Sequence, residues 1–108
     1  MSDSSFHPFR SLYADDPLMQ PLIVDFVVRL ADQVADIRRA VAANDPAALQ
    51  RTCHQLKGSG KSFGFEPISA LAAAAEEKLR ASLPMTACYP DINALLDYIE
   101  HIENYRQA

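Results

Sequence analysis

The sequence predicts an all-α protein, an antiparallel four-helix bundle with a short N-terminal helical extension. Three observations predict it. Apolar residues recur every three or four positions in four successive stretches, and no stretch alternates in the manner of a strand. Proline, Asn-Asp and glycine punctuate the stretches at helix starts and stops. The composition is rich in alanine, holds only three glycines and no tryptophan, and is 49% hydrophobic, which favours a packed helical core over sheet or disorder. With 108 residues the chain fits one domain that needs no disulfide or metal to hold it together.

Residues 1–15 form the extension. They are polar, with Phe6, Phe9, Leu12 and Tyr13 among them, and Pro8 is placed to open a short helix. The bundle occupies residues 16–108. Asp16-Pro17 offers a cap followed by proline, and Pro21 can restart the helix. Leu22, Ile23, Phe26, Val27, Leu30, Val34, Ile37 and Val41 then make one apolar stripe on a long helix ending near Ala43. Asn44-Asp45-Pro46 stops that helix and starts a second, which runs to about Phe63 and buries Leu49, Cys53, Leu56 and Phe63. Gly64 ends it as a left-handed residue. Glu66-Pro67 opens a third helix with the stripe Ile68, Leu71, Ala72, Ala75 and Leu79. A loop spans Ser82 to Pro90, and a last helix from about Asp91 to Tyr105 buries Ile92, Leu95, Leu96, Ile99 and Ile102.

Charge and composition exclude several functions. The net charge is −4 with both signs interspersed, so no basic face points to nucleic acid. No apolar run is long enough to span a bilayer, and no signal peptide is visible, so a cytoplasmic protein is expected. Cys53 and Cys88 form no CxxC pair and read as reduced thiols. A metal site built on Cys53 and His54 fails because adjacent helical residues diverge by about 100°. The run Gly58-Ser-Gly-Lys61-Ser62 imitates the end of a P-loop, but Gln55 stands where the first glycine belongs, and the segment ends a helix rather than starting one.

The second helix has an unusual face. On a helical wheel its apolar residues lie roughly 180–260° from His54, so the histidine faces solvent in mid-helix. Gln50, Lys57, Lys61 and Gly58 fall within roughly 60° of it. A helix-interior glycine costs about 1 kcal/mol relative to alanine. Gly60, on the buried side, fits close helix packing. Gly58, on the exposed side, leaves bare backbone beside the imidazole and gives room for another protein to approach. A neutral imidazole is a nucleophile that can hold a phosphoryl group. Transfer of that group needs mainly position and charge, for which Lys57 supplies a nearby cation, Lys61 adds positive potential and Gln50 can hydrogen-bond. His7 and His101 have no such company and read as solvated surface.

The run His54-Gln-Leu-Lys57-Gly58-Ser59, with Gly64 ten residues after the histidine, resembles the signature of histidine phosphotransfer (HPt) domains. A Phe26-centred helix, the Asn-Asp break, and Ala75-Glu76 where that family tends to have Leu-Glu follow in the family's order over about residues 17–105. Cys53 stands where many members of that family have alanine and Gly60 where alanine or serine is usual, both small residues with little effect expected, while Ala75 replaces a larger residue and implies looser packing there.

The resemblance implies a phosphoryl carrier without kinase activity of its own, phosphorylated on His54, with charge support from Lys57 and access from Gly58. Its partners would be receiver domains, a hybrid sensor kinase, or both, with Gln50, Arg51 and Lys61 bordering the docking surface. No cofactor is expected, any Mg²⁺ belonging to the receiver. A monomer is expected, and the plain termini suggest a free-standing protein. The alternative is a helical adaptor that docks receivers or kinases without being phosphorylated.

Overall fold

The computed structural model describes residues 7–106. Four α-helices follow one another: α1 (Gln20–Ala42), α2 (Pro46–Ser62), α3 (Glu66–Arg80) and α4 (Tyr89–Glu100), with a 3₁₀ turn, Met85–Cys88, before the last. The connections at 43–45, 63–65 and 81–84 are short enough to reverse the chain each time, so sequence neighbours pack side by side. Among the described residues there is no strand, only an isolated bridge between Phe9 and Ile102.

Local chemistry fixes the boundaries. Asp45 caps α2, its Oδ1 accepting the Ala48 N–H at 3.1 Å, and Pro46 occupies the first turn. Gly64 takes φ +85° directly after α2, the left-handed stop expected of it. Pro21 lies in the first turn of α1, so of the two starts offered by the sequence the later one is used. Asp16 instead organises the turn ahead of it, its Oδ1 accepting the Leu18 N–H at 2.9 Å.

The core follows the predicted stripes. Phe26, Leu30, Val34 and Ile37 of α1 meet Leu49, Cys53 and Leu56 of α2, Ile68, Ala72, Ala75 and Leu79 of α3, and Ile92, Leu95 and Ile99 of α4. Phe26 stacks on Phe63 at 4.7 Å between ring centroids and on Phe65 at 5.8 Å, which ties α1 to the α2–α3 turn. Cys53 and Cys88 are free and buried, and burial pushes the Cys53 thiol up to about 12. A Cβ built on Gly60 would stand 2.8 Å from Ile68 Cβ and 3.0 Å from the Ser69 backbone nitrogen. So α2 and α3 approach more closely here than even alanine allows without adjustment, in keeping with the close helix packing expected of a glycine on the buried side.

Four expectations need correction. Leu22, assigned to the buried stripe, is half exposed, and the buried part of that stripe begins at Phe26. No helix forms in the described part of the extension; Phe6 lies outside the described residues. Residues 7–19 form turns that strap the end of the bundle. Phe9 exchanges backbone hydrogen bonds with His101 and Glu103, Ser11 Oγ donates to the Phe63 carbonyl at 2.6 Å, and the Leu12 N–H donates to the Gly64 carbonyl at 2.9 Å. A helix there would forgo these non-local bonds. The loop before α4 is shorter than expected, since Pro90 sits in the first turn of that helix rather than ahead of it. Lys78 anchors this start, its Nζ 2.8 Å from Asp91 Oδ2 and 3.2 Å from the Ala87 carbonyl. Finally, α4 ends at Glu100, and the chain continues into the bridge with the strap.

Candidate functional site: His54 and the Glu76 carboxylate

α2 is long enough that His54 sits near its middle, with more than a turn of helix on either side. Its side chain is 64% exposed. The apolar residues of α2 point the other way into the core, so the rigid helix holds the imidazole out to solvent. Gly58 has nothing within 4 Å of where a Cβ would be. The backbone one turn from the imidazole is therefore bare and open.

The neighbour that organises the histidine comes from α3. Glu76 sits at the edge of the α3 stripe with a side chain only 4% exposed, and its two carboxylate oxygens are divided between two residues of α2. Oε2 lies 2.8 Å from His54 Nδ1 and Oε1 lies 2.8 Å from Lys57 Nζ. Arg80, one turn along α3, places Nη1 3.6 Å from Oε2. A carboxylate this close to being buried is costly unless paired. The Lys57 hydrogen bond is the main influence holding the Glu76 carboxyl below its ordinary value, with the His54 bond adding to it and burial opposing both.

An ionised carboxylate only accepts hydrogen bonds, so the proton of a neutral His54 ring resides on Nδ1. That leaves the lone pair on Nε2, the nitrogen turned away from Glu76. Glu76 thus fixes the ring's tautomer and orientation from beneath, while the nucleophilic nitrogen remains available.

The other sequence candidates separate into two places. Gln50 and Arg51, together with Ala47, Arg80, Glu76 and His54, line a shallow depression beside the imidazole. Lys57 lies outside that depression with its ammonium on Glu76. Lys61, two turns from His54, lines a separate hollow with Leu12, Tyr13, Gly64 and Glu66. His101 is not a bare surface residue as expected: its Nδ1 lies 2.7 Å from the Asp97 carbonyl and its ring meets Phe9 edge-on. His7 is exposed.

The comparisons with known proteins bear on this geometry. The chain matches the family described as Hpt domain over residues 21–105. The chain belongs to the Hpt domain family. Hpt domains are phosphocarrier modules of two-component signalling that act with receiver domains and kinases and are not kinases themselves. The match takes in all four helices and leaves the strap residues 7–19 outside it. Neither the curated proteins nor the solved structures yielded a match to the chain. Among the described residues no helix of this Hpt domain is long and apolar enough to cross a membrane.

Glu76 and Arg80 were not among the site residues read from the sequence. The available signal was an acidic residue roughly 40° from Ala72 on the α3 wheel, at the edge of an otherwise apolar stripe. Such a residue needs a cation, and Lys57 on the facing helix supplies one.

The paired Glu76 makes a pH-dependent contribution to stability. Its carboxyl is held lower in the folded chain than in the unfolded one, so its stabilisation is present above the ordinary carboxylate range and is lost as pH falls through the folded value. We expect Glu76→Gln to cost about 1 kcal/mol at pH 7, a modest value because Lys57 and His54 are both partly solvated. Urea unfolding between about pH 3 and 7 checks this. The gap between wild type and variant should narrow towards acid, and a gap independent of pH would contradict the assignment.

Proposed function

We propose that this Hpt domain carries a phosphoryl group on Nε2 of His54 and relays it between receiver-domain aspartates, or from a hybrid sensor kinase to a response regulator. The observation that carries the reading is the 2.8 Å contact between His54 Nδ1 and Glu76, which leaves Nε2 as the exposed, unprotonated nitrogen. In the transfer, the Nε2 lone pair attacks phosphorus of the receiver's acyl phosphate. The P–N bond forms, the P–O bond breaks, and the electron pair leaves with the aspartate carboxylate. The imidazole becomes cationic, with its Nδ1 proton retained against the Glu76 carboxylate. Glu76 therefore favours the step by stabilising charge that develops on the ring, and no proton has to move.

Gly58 keeps the approach to His54 open, and Lys57 sets the charge of the site. Gln50 and Arg51 border the depression that the partner's reacting group enters, while Lys61 contributes at the margin of the docking surface. The chain contributes no cofactor in this reading; the magnesium belongs to the receiver's acidic pocket, and the domain acts as a monomer in the cytoplasm, where receivers work. Without an ATP-binding motif it does not phosphorylate itself.

The test is incubation with a radiolabelled phosphorylated receiver domain. Acid-labile, base-stable label is expected on the chain. If receivers bind yet leave no such label, the phosphocarrier reading fails and a docking adaptor replaces it.

A further inference from the structure

We infer that Arg51 and Arg80, not Lys57, hold the phosphoryl group on His54, and that Lys57 acts through Glu76 by cancelling its charge. The inference rests on the phosphohistidine reading and assigns the electrostatics of that same site. Lys57 and Arg51 stand three residues on either side of His54 in α2, and both positions neighbour it on the helix surface. Only one of the two is already engaged. The Lys57 ammonium sits 2.8 Å from Glu76 Oε1, while among the described residues no ion pair ties Arg51 to an acid. Arg80 is 62% exposed and its nearest contact with Glu76, 3.6 Å, is longer than a hydrogen bond. Most of its guanidinium donors therefore remain free. Arg51 and Arg80 both line the depression beside His54, and Lys57 does not.

The charges add in the same sense. Lys57 and Glu76 cancel, which leaves the two arginines facing the depression. A phosphoryl group carries about two negative charges near neutral pH. Planar guanidinium groups suit it, since each can offer two parallel donors to its oxygens. Were Lys57 removed, the Glu76 carboxylate would stand uncompensated beneath the phosphorylated ring and oppose the phosphoryl dianion. The defect of a Lys57 variant is thus the exposure of a negative charge, and removing that charge should repair it.

The test uses the full chain phosphorylated with phosphoramidate, a small donor that needs no cognate receiver. Its P–N bond breaks, ammonia leaves, and a new P–N bond forms at His54 Nε2. The readout is the second ionisation of the phosphoryl group, followed by ³¹P NMR across pH. Neighbouring cations favour the dianion and lower that pKa. Arg51→Ala/Arg80→Ala should raise it by about half a unit or more. Arg80→Lys should recover part of the shift, and Arg29→Ala on α1 should leave it unchanged. Lys57→Met should also raise it, and Lys57→Met/Glu76→Gln should bring it back towards wild type. A titration unmoved by the double arginine replacement, or a Lys57→Met shift that persists with Glu76→Gln, would overturn the inference while leaving the phosphohistidine in place. If wild type takes no label that His54→Gln also lacks, the carrier reading itself falls and this inference with it.

Discussion

The His54→Gln variant should accept no phosphoryl group, with a loss complete to the limit of detection, and should melt like wild type. Both halves follow from placement. In the proposed reading Nε2 of His54 is the reacting atom, and a glutamine amide at the same height on α2 offers no nucleophile to replace it. The side chain is 64% exposed and its one strong contact is with Glu76, to which a glutamine amide can still donate. Stability should therefore stay within about 0.5 kcal/mol of wild type. Receiver binding should survive as well, because the bare backbone at Gly58 and the arginines are untouched. Transfer assays and thermal melts on the same preparation check the prediction. Label retained in the variant would name another acceptor, and a large drop in Tm would show that His54 is a structural residue.

The largest effect on stability should come from the paired glycines of α2, with opposite signs at two positions only about 3 Å apart along the helix axis. Gly60→Val should destabilise the bundle by about 2–3 kcal/mol. Its Cβ would meet Ile68 Cβ at 2.8 Å and the Ser69 backbone nitrogen at 3.0 Å, and neither is the free end of a flexible side chain. A loss of this size lowers Tm by roughly 10 °C in a domain of about 100 residues. Gly58→Ala should instead stabilise by about 1 kcal/mol, because a methyl group there meets nothing and the helix loses its most flexible residue. The same Gly58→Ala variant should slow phosphoryl transfer, since the methyl enters the space a partner must occupy. Thermal melts of both variants decide the matter. If Gly58→Ala stabilised the chain and left transfer untouched, access would not be what that glycine provides.

The helices were legible because each signal is local. Asp45 and Pro46, Gly64, and Glu66 with Pro67 mark their boundaries within a few residues of the structural ones, and the exposed placement of His54 follows from periodicity alone. What escaped the sequence depends on distant partners. The strap at residues 7–19 owes its form to bonds with Phe63, Gly64, His101 and Glu103, and no local pattern announces these. Leu22 matches the α1 stripe in spacing, yet it stays half exposed, because whether a position is covered depends on neighbouring elements that spacing does not reveal. Glu76 stands twenty-two residues from His54, and only the packing of α3 on α2 brings the two together. The same packing sets Lys57 against Glu76. Its position on the helix face suggested a cation free for the phosphoryl group, whereas its ammonium is already held by Glu76.

The central claim concerns one atom, and heteronuclear NMR of the ¹⁵N-histidine-labelled chain tests it most directly. The unphosphorylated His54 ring should show its proton on Nδ1 near neutral pH. After transfer from a phosphorylated receiver domain, phosphorus coupling should appear at Nε2 of His54, with Nδ1 still protonated. Coupling at Nδ1, or on His7 or His101 instead, would contradict the account, because Glu76 would then not be the residue that selects the reacting nitrogen.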